Sequence, residues 1–217
     1  MDVYENDIQE RWHDLTSWVV EEVRTKWWDR IRAAYTESHR HYHNLQYLYR
    51  MLHLYDEYKD KLSNRYACAY ALFFHNIVYD PKSKDSEARS AASFKQFSKE
   101  TTLDQAGYIA DLIEKTATHC TDAHTHPDNC GVDDIHYFLD FAMAVLGADP
   151  DEYDEYRKLI RQEYNHLDDL AYKQERCRVL RLFLQIPNIY ATESFRHRFE
   201  EKARFNIQRE IAELENC

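Results

Sequence analysis

The stretch NRYACAYALFFHNIV, residues 64–78, is apolar on every side of any regular element it could form. Its length favours a helix over a strand, and an apolar surface all round predicts a central, buried helix rather than one lying on a core. Asp80-Pro81 ends it. His75 and Asn76 are the strongly polar residues between Ala67 and Val78. Inside such a segment their polar groups need partners.

Outward from this helix the pattern stays helical. Upstream, Trp12, Leu15, Val19, Val23, Trp27 and Ile31 mark an amphipathic segment reaching about Tyr35, broken near Thr16-Ser17. The polar joint TESHRHY leads to a helix from about Tyr42 to Tyr58. Downstream, DPKSKD precedes a helix of about Ser86 to Phe97. Thr102 and Gln105 have the spacing of a capping box that opens a helix reaching Thr118. HCTDAHTHPDNCG, 119–131, reads as one irregular loop. Asp133 or Asp134 caps the next helix, which Gly147 stops. Asp149-Pro150 starts another, Leu170 to Ile186 forms a further one, and Thr192 caps the last. The expectation is an all-α fold of eight or nine helices in a single domain over residues 1–217, with 1–36 a helical segment packed on it.

Composition removes several functions. The chain of 217 residues holds 3 glycines and 4 prolines, with no two glycines close enough for a dinucleotide fingerprint, a P-loop or a nucleophile elbow. Formal net charge is −11, which repels phosphate backbones, so duplex nucleic acid is not an expected partner. The longest apolar run, Tyr66 to Phe74, is shorter than the ~20 residues that cross a bilayer, and no membrane role is expected. Five scattered cysteines and the acidic start MDVYENDIQE point to reduced thiols and a cytoplasmic protein.

The 12 histidines cluster. His39, His41 and His43 stand at a helix entrance, His75 ends the buried segment, and His119, His124 and His126 occupy the long loop. Asp140 is a carboxylate between Leu139 and Phe141, a place where an acid is paired, protonated or bound to metal. Taken singly, His75 and Asn76 read as helix-bridging groups and Asp140 as the partner of a base. Their occurrence together on separate helices points to a shared site. Cys120, His124, His126 and Cys130 form a lesser candidate for a tetrahedral zinc, although their spacing fits no finger pattern.

The segments HYHNLQYL (41–48), FFHNIVYDP (73–81), SEARSA (86–91), IEKTATH (113–119) and FLDFAMAVLG (138–147) resemble the HD-domain superfamily. Within it, the similarity is to a family of predicted metal-dependent phosphohydrolases. YDEYRKLIRQEY (153–164) and 189–214 extend the resemblance over nearly the whole chain. It implies an HD-type helical bundle that binds a divalent ion (Mn, Fe, Mg, Co or Zn) and hydrolyses a small phosphate ester or nucleotide. The ligands it implies are His43, His75, Asn76 and Asp140, with His119 for an additional metal. Glu87 matches a family acid that orients water or a ligand, and Tyr47 borders the pocket.

Three positions depart from that pattern. Asn76 stands where the family has Asp, Ala142 where a second Asp is usual, and Tyr47 where a His is frequent. At ~4 Å and an effective dielectric of ~20, one unit of charge beside a cation is worth on the order of 4 kcal/mol. Desolvation returns part of this, leaving a loss of roughly ten- to several-hundred-fold in metal affinity. Three readings follow. They are a phosphohydrolase-like enzyme with an altered metal site, an inactive HD pseudoenzyme that binds a ligand, and a repurposed pocket doing metal-free acid–base chemistry on a non-phosphate small molecule.

Overall fold

The structure is a computed structural model that describes residues 3–216. It is 71% helical with eleven helices, and there is no strand among the described residues. The chain divides into two compact units, Met1–His119 and Cys120–Cys217.

In the first unit, α1 (Val3–Leu15) ends where the Thr16 hydroxyl donates to the Trp12 carbonyl at 2.5 Å, a back-bond that competes with helix continuation. α2 (Glu21–Tyr35) opens on Glu21 and Glu22, whose charges suit the positive end of the helix dipole. Asn44 caps α3 (Leu45–Tyr58) by accepting from the amides of Gln46 and Tyr47. Asn64 caps α4 (Arg65–Phe74) by accepting from Ala67. α5 (Ser86–Glu100) and α6 (Ala106–Lys115) complete the unit. α4 packs against α1, α3, α5 and α6, and Ala67 to Phe74 are all buried. The apolar surface of residues 67–74 is thus consumed on every side, while Tyr66 at the helix start stays exposed.

An aromatic cluster fills the space around it. The Trp12 ring lies 5.2 Å from Phe73 and 5.5 Å from Phe97, and Trp27 lies 5.6 Å from both Phe74 and Phe97. The buried indoles keep their N–H groups satisfied. Trp12 donates to the Arg24 carbonyl at 3.0 Å and Trp27 to the Glu100 carboxylate at 2.9 Å.

The second unit contains α7 (Asp122–Thr125), α8 (Asp134–Met143), α9 (Pro150–Glu163) and α10 (Asp169–Gln185). Its last helix, α11, starts at Glu193–Phe195, passes through a π-helical turn at Arg196–Glu200 and continues as Glu201–Asn216. Arg176 holds the buried Glu210 carboxylate with two bonds of 2.8 and 3.0 Å, and the Tyr153 hydroxyl donates to the same group.

The helix count exceeds eight or nine for two reasons. The break expected near Thr16-Ser17 makes the N-terminal segment two helices, and the supposedly irregular loop contains α7. There Thr121 caps the turn while its amide donates to His124 Nδ1. The capping-box expectation at Thr102-Gln105 also fails. α6 starts at Ala106, and Gln105 precedes it in a left-handed conformation (φ 68°) without a side-chain cap bond. Its amide oxygen instead accepts from Asn64 Nδ2.

Gly147 does not stop α8, which ends at Met143 and continues as a 3-10 turn over Ala144–Gly147. The glycine is needed for close approach. An added Cβ would stand 2.5 Å from Phe199 Cβ and 2.9 Å from its Cα. Gly147→Ala should therefore cost about 1–3 kcal/mol through overpacking, read as a lower urea midpoint with an unchanged m-value.

Candidate functional site

The entrance of α3 and the end of α4 come together in the first unit. His75 follows α4 and is 2% exposed. Its Nδ1 lies 2.7 Å from the Leu72 carbonyl, which only accepts, so Nδ1 carries the proton. Nε2 is then the acceptor, and the Tyr47 hydroxyl donates to it at 3.1 Å. Burial pushes the His75 pKa down to about 3. The Leu72 carbonyl opposes that shift, while His43, His119 and Arg40 reinforce it. The imidazole is neutral at physiological pH.

The sequence reading carries the buried helix to Val78, but it ends at Phe74. The carbonyls beyond it are taken by groups outside the helix. Arg40 donates to Asn76 O at 2.5 Å and Ile77 O at 3.3 Å, and the Ser90 hydroxyl bonds both the amide and the carbonyl of Val78 at 3.1 Å. The Arg40 side chain is completely buried and pairs with Glu37 at 2.9 Å. Its guanidinium lies 5.3 Å from the Tyr35 ring and 5.5 Å from the Tyr79 ring.

His43 stands beside this pair among aromatic rings. Tyr79 is 4.4 Å away, Tyr42 5.0 Å and Tyr47 5.1 Å. His119 follows α6 in a left-handed conformation, φ 47°. Asn76 and Glu87 are half-buried. The first unit thus groups His43, Tyr47, His75 and Asn76, with His119 near enough to act on His75 electrostatically.

Asp140 belongs to the second unit, where it has a different set of partners. Oδ1 accepts from the Ala191 amide at 2.7 Å, and Oδ2 from the Thr192 amide at 2.9 Å and hydroxyl at 2.7 Å. Burial raises its pKa to about 7 against the pull of these donors. The carboxylate holds the turn that enters α11. The loop residues of the zinc candidate are likewise engaged. His124 Nδ1 accepts from the Thr121 amide at 3.0 Å, and the Cys130 sulfur lies 3.5 Å from Arg196. Cys68, Cys120, Cys130 and Cys177 are in no disulfide, while Cys217 lies outside the described residues.

Among the described residues no group of three or more His, Cys, Asp or Glu side chains is disposed to hold a metal ion. The chargeable neighbours acting on His75 are His43, His119 and Arg40, with no carboxylate among them; the imidazoles could ligate a transition metal, but the Arg40 charge opposes a dication, and the Tyr47 hydroxyl occupies Nε2. As arranged, the residues do not fit a bound metal.

Arg40 escaped the sequence reading, hidden inside the histidine-rich joint. The signal was a single base between aromatic and imidazole groups, next to a helix entrance. Arg196 was also missed. It donates to the carbonyls of Ala123, Tyr190 and Ala191 at 2.8, 2.8 and 3.0 Å, stitching the second unit's loops together. No protein-family model matches the chain, nor does any curated protein or solved structure.

The neutral His75 sets a pH dependence. Its folded pKa is below the unfolded value of about 6.5, so its contribution is complete above pH 6.5 and is lost as pH falls toward about 3. Between pH 7.5 and 4.5 the wild type should lose roughly 2–3 kcal/mol more stability than His75→Gln, at ~1.4 kcal/mol per unit. Urea denaturation at the two pH values measures the difference.

Proposed function

We propose that the chain is an HD-type helical protein whose first-unit site binds a small phosphate-bearing molecule without requiring a metal ion. The observation that carries this reading is the Tyr47–His75 hydrogen bond. It engages the imidazole nitrogen that a metal ligand needs free, and it uses the tyrosine found where the resembled family often has histidine. Asn76 removes a carboxylate from the neighbouring position, and Arg40, His43 and His119 give the surroundings a neutral-to-positive character suited to an anion. The Arg40 guanidinium is buried and does not touch the ligand. It positions the backbone of Asn76 and Ile77 and supplies charge.

The pKa of His75 argues against a proton-carrying role. A general base works best with a pKa near the operating pH, and one near 3 leaves almost no proton affinity at pH 7. His75 serves instead as a fixed acceptor that orients the Tyr47 hydroxyl, so that the tyrosine oxygen accepts from a donor on the ligand, such as a hydroxyl or N–H beside its phosphate group.

The second reading is hydrolysis of a phosphate ester or nucleotide with a divalent ion on His43, His75, His119 and Asn76. One observation favours it: the Nδ1–H donation to Leu72 is the kind of contact that orients a ligating imidazole.

Calorimetry with a panel of phosphomonoesters and nucleotides, in EDTA and then with Mn²⁺, separates the two. The expected result is saturable binding in EDTA, weakened at least tenfold in Tyr47→Phe, with Mn²⁺ bound only weakly. Tyr47→His/Asn76→Asp should gain at least tenfold in Mn²⁺ affinity. Stoichiometric, tight Mn²⁺ binding by the wild type that His75→Gln abolishes would overturn the metal-free reading in favour of the hydrolase.

A further inference from the structure

A hollow of about 460 Å³ lies in the second unit, where α9, α10 and α11 each turn one face to it. That volume is within the ~300–1,000 Å³ of small-molecule sites. Arg157, Lys158, Arg161 and Gln162 line it from α9, and Asp169, Tyr172 and Lys173 from the first turns of α10. Both sets follow three- and four-residue steps, so each is one helix face. Leu214 of α11 adds an apolar wall. Charge pairing inside the hollow is uneven. Its three carboxylates each have an arginine: Arg176, mostly buried, holds Glu210 with two bonds, Arg157 holds Glu213 at 2.5 Å, and Arg161 holds Asp169 at 2.7 Å. The two lysines are left over. Lys158 reaches only the exposed Glu155, at 3.6 Å. Lys173 makes no hydrogen bond or ion pair among the described residues, and its charge acts on Asp169 only at longer range. In a chain of net charge −11, the hollow carries positive charge in surplus.

A second observation is independent of charge. Tyr172 is 7% exposed, and a buried tyrosine ordinarily finds a partner for its O–H. Tyr153 does so, donating to Glu210. The Tyr172 hydroxyl bonds no group among the described residues, and it is not among the polar atoms sealed in the interior. What stays accessible of this residue opens on the hollow. Its ring is held in place, 4.7 Å from the Arg161 guanidinium and 6.2 Å from the Tyr164 ring. A fixed donor without an acceptor thus stands next in sequence to an ammonium without a counter-ion. Gln162, on the α9 wall, likewise has no hydrogen bond to its side-chain amide.

We propose that this hollow binds a small organic oxyanion, its carboxylate or phosphate head accepting from the Tyr172 hydroxyl, the Lys173 ammonium and the Gln162 amide. Lys158 adds charge at the rim, and the body of the ligand lies against Leu214. The donor set selects this ligand. An ammonium has three N–H groups and no acceptor, and a hydroxyl and an amide can both turn donors to the same anion. Hydrogen bonds to an ionised acceptor are also the stronger kind. The hollow is larger than a bare phosphate or carboxylate, so the ligand has an organic body. The site shares no residue with the His75 site and does not depend on the function proposed for it.

The test is a proton–nitrogen NMR titration of the full chain with phenyl phosphate and with benzoate, which carry the two heads on one ring. Benzylammonium serves as a cation with the same body. At least one anion should give saturable shifts at Gln162, Tyr172 and Lys173, and benzylammonium none. A response to phenyl phosphate alone, or to benzoate alone, supports the site and names its head group. Tyr172→Phe and Lys173→Gln should each weaken binding by about tenfold, the order of one charge-assisted hydrogen bond, and added salt should weaken it further. Tyr172→Phe removes a hydroxyl without a protein partner, so its urea midpoint should match that of the wild type, which separates lost binding from lost folding. Absence of saturable shifts with both anions, equal shifts with benzylammonium, or affinity left intact by either substitution overturns the proposal. So do shifts confined to His43, Tyr47 and His75, which would assign the anion to the first unit alone.

Discussion

The His75 imidazole is the constraint on which the first unit's site depends. It sits where a wholly buried helix ends, so each of its nitrogens must be satisfied from within the protein. Leu72 takes the Nδ1 proton and Tyr47 supplies a proton to Nε2. These two bonds fix the tautomer, the ring plane and the direction of the Tyr47 hydroxyl together. They also join the start of α3 to the end of α4, because Tyr47 lies in the turn that Asn44 caps. A neutral ring in this position costs little, whereas a protonated one would lose the Tyr47 bond and face His43, His119 and Arg40 as like charges.

The same arrangement determines what the site is suited to hold. Arg40 spends its hydrogen bonds on backbone carbonyls and its charge on a site with two further imidazoles. The carboxylate that the sequence reading placed among the metal ligands, Asp140, is devoted in the second unit to the amides of Ala191 and Thr192. Its raised pKa has the sign opposite to that of His75: burial favours the protonated acid, so its contribution is present at low pH and declines as pH rises from about 3.8 toward 7. The two units therefore carry opposing responses to acid.

Much of the helical organisation was legible in the residues. The all-round apolar surface of 64–78 announced a central helix, Asn64 and Asn44 supplied caps, and Thr16 marked the break between α1 and α2. The errors have physical causes. α4 stops four residues early because Arg40 and Ser90, distant in sequence, capture the backbone of residues 76–78. Gln105 does not complete a capping box because its side chain is drawn to Asn64. Gly147 resembles a helix stop in sequence, while the reason for it, the backbone of Phe199, lies far along the chain. At the site, the grouping of His43, Tyr47 and His75 followed from the resemblance alone, whereas the residues themselves suggested His75 and Asn76 with Asp140, which is bonded instead to Ala191 and Thr192. The role of Arg40 was not readable, since long-range donation to carbonyls leaves no periodic trace.

The account rests on a neutral, Nδ1-protonated His75 whose Nε2 is held by Tyr47, and long-range proton–nitrogen correlation NMR of the histidine rings reads that state directly. The His75 signals should show a protonated Nδ1 and an unprotonated Nε2 without change from pH 8 to pH 5, and Tyr47→Phe should shift Nε2 alone. A His75 ring that titrates near 6.5, or one protonated on Nε2, would contradict the account.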